Sequence, residues 1–286
     1  MKGWGVKAPE HMIILSIILW AAILETTRRK AGSVLVIIVT IISLYPLIAE
    51  EMPGLLKGAG FSFYSIVAYH IMSPDSALGL HIKVVGELLA GYLIFGIIVI
   101  ITGGGDFFIK LAMSLLRNFR GGIAKVSVLS SALFGTKSSS AIANVTVDGP
   151  ITIPMMKRAG YEPHFAAAVE ATSSNGGQIM PPVMGAVAFV MAAMLNISYF
   201  EVALGAAIPA LLYYFGMFIQ IDGRAVYKGL SGVPQAEIPP LRETLKEGWF
   251  YFISLVILIL FLYYRMESQA PFYASIWLLL VANIRR

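Results

Sequence analysis

Long apolar runs, several of them close to the length that a helix needs to cross a bilayer, set the first constraint on this sequence. The runs lie at residues 12–24, 32–49, 84–102, 165–195, 199–219, 248–264 and 271–284. Only 13% of the residues are charged, which is too few to cover a water-facing surface. Since about 20 apolar residues span the hydrocarbon core, the sequence predicts an all-α polytopic membrane protein with about seven spans. The run at 12–24 is somewhat short for a span.

The composition excludes several functional classes. With no cysteine, the chain has no thiol nucleophile, no disulfide and no thiolate metal site. The four histidines lack the spacing of a zinc site. The net charge of +5 is typical of cytoplasmic loops in a membrane protein and does not indicate a nucleic-acid partner. We therefore expect the lipid bilayer as a partner, no nucleic acid and no enzyme cofactor.

The distribution of basic residues predicts a segment that enters the membrane and returns on the same side. Basic clusters lie at 28–30, 110–125, 157–158, 224–246 and 285–286. Lys and Arg concentrate in cytoplasmic loops. If residues 126–156 crossed the membrane once, the later clusters would lie on the opposite side from the earlier ones. A re-entrant hairpin at about 126–156 places every cluster in the cytoplasm.

Two polar stretches interrupt the apolar background. One is the predicted hairpin tip at 137–146, and the other is residues 171–182, which contain Gly176-Gly177 and Pro181-Pro182. Proline removes a backbone donor and disfavours helix in the residue before it, so we expect a helix broken within 165–195 that leaves carbonyls free. Oxygen ligands of this kind suit a hard monovalent cation, and broken membrane helices hold such sites. Close helix packing by small residues is the alternative interpretation.

Three acidic residues lie within or beside apolar runs. An ionisable group inside a membrane helix is energetically costly, and a functional role is the usual reason for its presence. Glu87 and Glu170 are therefore candidates for such a role. Glu170 can equally lie near a cytoplasmic helix end. Asp148 precedes Gly149-Pro150 and is as typical of a turn as of a proton carrier.

Longer motifs carry a family resemblance. They lie at 24–29 (LETTRR), 102–108 (TGGGDFF), 120–122 (RGG), 151–161 (ITIPMMKRAGY), 176–185 (GGQIMPPVMG) and 201–214 (EVALGAAIPALLYY). With them the chain resembles, from about residue 15 onward, the large membrane subunit of tripartite ATP-independent periplasmic (TRAP) transporters. The likeness is to the fused permeases that work with TAXI-type binding proteins.

The resemblance implies a secondary transporter of the bacterial inner membrane and no enzyme. Such a permease is driven by a cation gradient, generally sodium, and moves carboxylate-bearing solutes that a periplasmic binding protein delivers. Its fold is an elevator built from two inverted repeats, each with one re-entrant hairpin. A sodium ion is then the expected bound ion, and a TAXI-type binding protein the expected partner.

The hairpin tip and the broken helix supply the expected site residues. Those expected to bind the cation are Ser138, Ser139, Ser140, Asn144, Thr172, Ser173, Asn175, Gly176, Gly177 and Pro181. Those expected to bind the substrate are Lys137, Ser174 and Gln178. Lys137, Ser139 and Asp148 depart from the family pattern, which usually has an apolar residue, a glycine and a small neutral residue there.

The organisation predicted along the chain has three parts. Residues 1–83 form scaffold helices and an amphipathic arm, residues 84–220 form the transport repeat, and residues 221–286 form a cytoplasmic loop and the last helices. Because the hairpin and the broken helix occur once, we expect only the first repeat, which needs a second half to transport. The alternative is a non-transporting remnant or an assembly subunit of a split permease.

An intramembrane serine protease is less favoured, because no histidine follows the GLSG sequence at 229–232.

Overall fold

The part of the chain that the structure describes is mainly helical. The structure is a computed structural model that describes Trp4 and residues 8–116, 118–138, 140–230 and 238–284. No strand occurs among these residues, which confirms the predicted all-α class. Ser139 of the predicted cation site and Ser231 of the GLSG sequence lie outside the described residues.

The first of two compact units, Met1–Gly86, contains three longer helices that pack on one another, and the single turn α4 (Ile82–Val84). α1 spans Glu10–Ala31, α2 spans Ser33–Leu44 and α3 spans Phe63–Met72. α1 is longer than the predicted run at 12–24, and the expectation of a short first helix was therefore wrong. The helix continues through the charged residues because Glu25 forms ion pairs of 2.7 Å with Arg28 and Arg29, one turn further on.

The second unit, Glu87–Arg286, contains the helices that carry the predicted site. Its first helix is α5 (Ala90–Ile101). The following helices are α6 (Gly104–Leu116), α7 (Gly122–Gly135), α8 (Ala141–Arg158), α9 (Pro163–Gly176), α10 (Ala186–Leu195), α11 (Tyr199–Lys228), α12 (Leu241–Tyr263) and α13 (Ala270–Ile284). In this unit α6 packs on α7 and α12, α7 packs on α8 and α9, and α13 packs on α12 and α5.

Among the described residues, four helical segments have the length and apolar composition to cross a membrane. They are Glu10–Ala31, Leu78–Ile101, Tyr199–Lys228 and Leu241–Tyr263, and shorter apolar helices accompany them. These segments support the predicted multi-pass membrane class, whereas the count of about seven spans stays a prediction. The loop predicted to begin at residue 221 begins later, because α11 continues to Lys228, and α12 begins at Leu241.

A helical hairpin forms where the basic clusters predicted one. α7 and α8 pack on each other and are joined by residues 136–140. At 1.5 Å per residue, the 14 residues of α7 extend about 21 Å and the 18 residues of α8 about 27 Å, both less than the hydrocarbon thickness. These lengths suit a segment that enters and returns. Its re-entry into the membrane stays a prediction.

The helix predicted at 165–195 is broken where the glycines and prolines fall. α9 ends at Gly176, a 3-10 turn follows at Gly177–Ile179, and α10 begins at Ala186. The Gly185 N–H donates to the Gln178 carbonyl over 2.7 Å and closes the loop between the two helices. The predicted break is confirmed.

Close contact between α6 and α12 depends on a glycine. Phe107 of α6 stacks on Tyr251 of α12, with 5.2 Å between ring centroids. A Cβ at Gly248, one turn before Tyr251, would overlap the Phe107 ring. Gly216 in α11 offers a contrast, because a Cβ there would meet nothing within 4 Å.

We expect Gly248→Ala to destabilise the folded chain by about 1–3 kcal/mol, because the added methyl group overpacks the contact with Phe107. The thermal unfolding midpoint of the purified chain in detergent measures the loss. Gly216→Ala is the matched control and should leave the midpoint unchanged or raise it, since alanine favours a helix interior. Equal midpoints for the two variants would contradict this account of the α6–α12 contact.

Ion pairs join the start of α9 to the end of α11. Glu162 accepts from the Arg224 guanidinium over 2.9 Å and from the Lys228 ammonium over 2.6 Å. The hydrogen bond from Lys228, followed by one from its own backbone and one from Arg224, lowers the pKa of the Glu162 carboxyl to about 2. Asp222 similarly accepts from Arg120 and from Lys125 at the start of α7.

The pKa of Glu162 predicts a pH-dependent contribution to stability. Because the pKa is lower in the folded than in the unfolded chain, the contribution is complete above the unfolded value of 4.5 and disappears as the pH falls towards about 2. Glu162→Gln should therefore lower the unfolding midpoint at pH 6, and the difference from the natural chain should shrink towards pH 3. Glu10→Gln is the control. A difference that is the same at both pH values would contradict the assignment.

Candidate functional site

Three neighbouring helices bury polar side chains against one another. The side chains follow helical spacing, so those of one helix share a face. α7 contributes Ser127, Ser130 and Ser131, α8 contributes Asn144, Asp148 and Thr152, and α9 contributes Glu170, Ser173 and Ser174, all of them buried. Of the predicted cation and substrate residues, Asn144, Ser173 and Ser174 lie in this polar core.

Glu170 is held by hydroxyl groups from three helices. Its carboxylate accepts from Ser127 of α7 over 2.8 Å, from Thr152 of α8, and from Ser174 of its own helix over 3.1 Å. The side chain is completely buried, whereas its position relative to the cytoplasmic side of the membrane stays a prediction. The Ser174 hydroxyl therefore donates to a carboxylate of the protein itself, and its role in substrate binding stays a prediction.

Asn144 and Asp148 face Ser131 on α7. The Asn144 amide donates to the Ser131 carbonyl over 3.0 Å, and the Ser131 hydroxyl donates to Asp148 Oδ2 over 3.4 Å. The other oxygens, Asn144 Oδ1 and Asp148 Oδ1, are buried and have no hydrogen-bond partner among the described residues. Asp148 is an interior residue of α8 and not the turn residue that its position before Gly149-Pro150 allowed.

The hairpin tip is organised by two serines. The Ser140 hydroxyl caps α8 by accepting from the Ala143 N–H over 3.2 Å. The Ser138 hydroxyl accepts from the Ser140 N–H over 3.4 Å and is buried near Gly96 of α5. Of the described serines in the predicted cation set, Ser138 and Ser140 therefore lie together at the start of α8.

Lys137 points away from the helix break. Its ammonium group donates to the Tyr251 carbonyl over 2.7 Å and lies 4.5 Å from the centroid of the Phe108 ring. The rings of Tyr251 and Phe252 lie within 6.0 Å. Because the ammonium is bound in this aromatic pocket of α6 and α12, it anchors the tip to α12, and its substrate role stays a prediction.

The hairpin meets the broken helix through glycines. A Cβ at Gly135, the last residue of α7, would lie 2.5 Å from Cα of Gly177. A Cβ at Gly176 would overlap the Tyr213 ring of α11. Neither Gly176 nor Gly177 has a positive φ, so their small size here serves close backbone contact.

Tyrosines of α11 bind carbonyls around the break that we expected, from the sequence, to be free. The Tyr199 hydroxyl donates to the carbonyls of Pro182 and Val183, Tyr213 donates to Thr172 over 2.8 Å, and Tyr214 donates to Ser173 over 3.1 Å. The expectation of free carbonyls was therefore wrong at these four positions. The pair Tyr213-Tyr214 inside an apolar run was the sequence signal for these hydrogen bonds, because a buried phenol hydroxyl needs a hydrogen-bond partner.

A cleft of about 520 Å³ opens beside this junction. Its lining is Ala141, Ile142, Val145 and Thr146 of α8, Ala171, Thr172 and Asn175 of α9, and Tyr213 of α11. Asn175 accepts from the Gln178 amide over 2.7 Å, so two predicted site residues are bonded to each other across the end of α9. Pro181 lies in the loop beyond, joined to Pro182 by a cis peptide bond.

A second cleft, of about 620 Å³, lies among α5, α12 and α13. It is lined by Ile101, Thr102, Glu247, Phe250, Leu279, Ala282 and Asn283. None of the predicted site residues lies in it. The cleft beside the hairpin is therefore the better candidate for a binding site.

Known proteins share sequence similarity with most of this chain. Residues 18–286 match the family model described as "Tripartite ATP-independent periplasmic transporter, DctM component". The C4-dicarboxylate TRAP transporter large permease protein DctM of Vibrio cholerae is 30% identical over 64% of this chain and 40% of its own length.

Two further relatives are named for other substrates. The sialic acid TRAP transporter large permease protein SiaM of Vibrio cholerae is 28% identical over 52% of this chain and 35% of its own length. The ectoine TRAP transporter large permease protein TeaC of Halomonas elongata is 27% identical over 45% of this chain and 30% of its own length. The chain thus spans less than half the length of these relatives.

The family match covers almost all of the chain, including the hairpin, the broken helix and α11 with its tyrosines. The chain belongs to the DctM family of tripartite ATP-independent periplasmic transporter components.

Proposed function

We propose that the chain forms the hairpin-bearing repeat of a TRAP permease. The permease moves a carboxylate-bearing solute across the bacterial inner membrane, and a cation gradient drives this transport. A periplasmic binding protein, of the TAXI type, delivers the solute. The permease is of the elevator kind, and this repeat works with a second, inverted repeat. The observation that carries the proposal is the contact of the hairpin with the broken helix at Gly135 and Gly177, beside an open cleft.

The proposed cation site lies at this junction. Ser138 and Ser140 at the hairpin tip and Thr172 and Asn175 at the end of α9 offer hydroxyl and amide oxygens. Oxygen atoms of this kind bind sodium without needing a carboxylate cage. The described part of the chain shows no cluster of histidines and acidic residues that would hold another metal ion, so sodium fits the donor set best.

The proposed solute site is the cleft at the start of α8. Ala141 and Ile142, in the first turn of this helix, line the cleft. The first N–H groups of a helix lack partners within the helix and attract anions, so this end of α8 suits a carboxylate. Two of the relatives named above are described for C4-dicarboxylate and for sialic acid, both of which carry carboxyl groups.

A non-transporting assembly subunit is the alternative function. The burial of Lys137 favours it, because the ammonium fixes the hairpin tip to α12 and limits its movement. The two functions differ in whether the junction binds a cation and a solute.

We expect sodium, but not potassium at the same ionic strength, to raise the thermal unfolding midpoint of the detergent-purified chain by a few degrees. A ligand that binds only the folded state stabilises it by mass action. Asn175→Ala should abolish the sodium-specific rise because it removes a ligand oxygen from the junction.

Ser140→Ala tests the tip, and Ser198→Ala is its matched control. Both serines cap a helix by accepting one backbone N–H, from Ala143 and from Glu201 respectively, so each variant should lose about 1 kcal/mol in potassium. Only Ser140→Ala should also lose the sodium-specific rise. Equal midpoints in sodium and potassium for the folded natural chain would contradict the cation site and favour the assembly subunit.

We expect succinate, added in sodium buffer, to raise the unfolding midpoint further, and its neutral diamide to have no effect. Ile142→Glu places a carboxylate in the cleft and should abolish the effect of succinate through charge repulsion. Leu204→Glu on α11 is the control, since both side chains are exposed, 81% for Ile142 and 66% for Leu204. An equal response to succinate in the two variants would contradict a solute site at the start of α8.

A further inference from the structure

The ends of four helices meet at one place in the second unit. The Tyr161 hydroxyl, in the turn between α8 and α9, donates to the Gly121 carbonyl, in the turn between α6 and α7, over 3.4 Å. A Cβ at Gly121 would lie 2.7 Å from Cβ of Ala225 in α11, and a Cβ at Gly160 would lie 3.1 Å from the Leu230 side chain beyond the end of α11. The ends of α8 and α11 and the starts of α7 and α9 therefore lie side by side.

Basic side chains collect where these helix ends meet. We call them the basic surface, and they are Arg120 and Lys125 at the start of α7, Lys157 and Arg158 in the last turn of α8, and Arg224 and Lys228 near the end of α11. Two acidic residues pair with this surface, Glu162 with Arg224 and Lys228, and Asp222 with Arg120 and Lys125. Since each carboxylate is shared by two basic side chains, positive charge remains in excess.

Lys157 and Arg158 hold the part of this charge that is not paired. Both side chains are exposed, and neither forms an ion pair with another described residue. The Gly160 N–H donates to the Lys157 carbonyl over 3.2 Å, so the two residues lie directly before the turn that contacts Gly121. Interaction with the negative end of the α8 dipole is the alternative explanation for their position.

Exposed aromatic side chains flank the basic surface, which the helix dipole does not explain. Phe119 is 51% exposed, and the Lys125 ammonium lies 5.8 Å from its ring centroid. Tyr227 is 79% exposed, and the Arg224 guanidinium lies 5.8 Å from its ring centroid. Amphipathic rings concentrate at the level of the lipid headgroups, where one edge contacts acyl chains and the other faces water. Unneutralised positive charge beside exposed rings fits a ligand with an anionic head and an apolar tail.

We propose that the basic surface binds the headgroup of an anionic phospholipid, with Lys157 and Arg158 on the phosphate and the rings of Phe119 and Tyr227 against the acyl chains. Ammonium and guanidinium groups form charge-assisted hydrogen bonds with phosphate oxygens, and basic pockets between membrane helices bind lipid headgroups. The proposal rests only on the membrane class of the chain. It goes beyond the proposed function, because none of the proposed cation or solute ligands lies in the basic surface.

Native mass spectrometry of the full chain, purified in detergent, tests the proposal by measuring the affinity for added lipid. Phosphatidylglycerol should bind more tightly than phosphatidylcholine with the same acyl chains, because only the former has a net negative charge, and the difference should shrink as the salt concentration rises. The double variant Lys157→Gln with Arg158→Gln should weaken the binding of phosphatidylglycerol about 25-fold, since each basic residue near an anionic membrane surface contributes about fivefold in affinity.

Lys57→Gln with Lys83→Gln is the matched control. It removes the same charge from two exposed side chains that form no ion pair among the described residues, so the affinity for phosphatidylglycerol should not change. Arg158→Gln alone, with an expected loss of about fivefold, is the test if the first double variant does not fold.

A tyrosine variant tests the apolar part of the proposed site. Tyr227→Ala should weaken the binding of phosphatidylglycerol several-fold, because it removes the ring that contacts the acyl chains. Tyr264→Ala, which removes another exposed tyrosine at the end of α12, is the control and should keep the affinity.

Free phosphate is distinguished from a lipid by a competition measurement. Phosphatidylglycerol should raise the thermal unfolding midpoint by mass action, and inorganic phosphate, compared with chloride at the same ionic strength, should neither raise the midpoint nor displace the lipid. Displacement by inorganic phosphate would overturn the lipid assignment. Equal affinities for the two lipids, or an equal loss in the two double variants, would show that no headgroup site exists at the basic surface. Equal affinities in Tyr227→Ala and Tyr264→Ala would overturn the placement of the acyl chains.

Discussion

The polar core between α7, α8 and α9 has to satisfy its own hydrogen bonds, because neither lipid nor an apolar interior offers partners. Ser127, Thr152 and Ser174 therefore converge on Glu170, and helices that supply these hydroxyls must lie close together. The glycine contact between Gly135 and Gly177 permits that approach. The arrangement of the hairpin, the broken helix and the cleft beside them depends on this one constraint.

α11 and α12 hold the hairpin and the break from outside. Tyr199, Tyr213 and Tyr214 bind carbonyls on both sides of the break, so side chains of α11 organise the interrupted backbone. Lys137 is held by the Tyr251 carbonyl and nearby rings, which fixes the tip on its other side.

Much of the fold could be predicted from local sequence, because local chemistry decides it. Pro181-Pro182 cannot continue a helix, and the break falls there. The basic clusters before and after 126–156 indicated a hairpin, and α7 and α8 form one. Helix ends were less predictable: the paired charges of Glu25, Arg28 and Arg29 extend α1 beyond its apolar run.

The sequence by itself determined the all-α membrane class, the break and the residue types near it, since hydropathy, charge and proline act locally. Only the tertiary structure decided which of those residues meet. In it, the Lys137 ammonium binds the Tyr251 carbonyl of α12, and Glu170 and Asp148 lie close enough to interact electrostatically. Carbonyls at the break accept hydrogen bonds from tyrosines. The physical reason is that a buried polar group is defined by its partners, and those partners lie on other helices, distant in sequence.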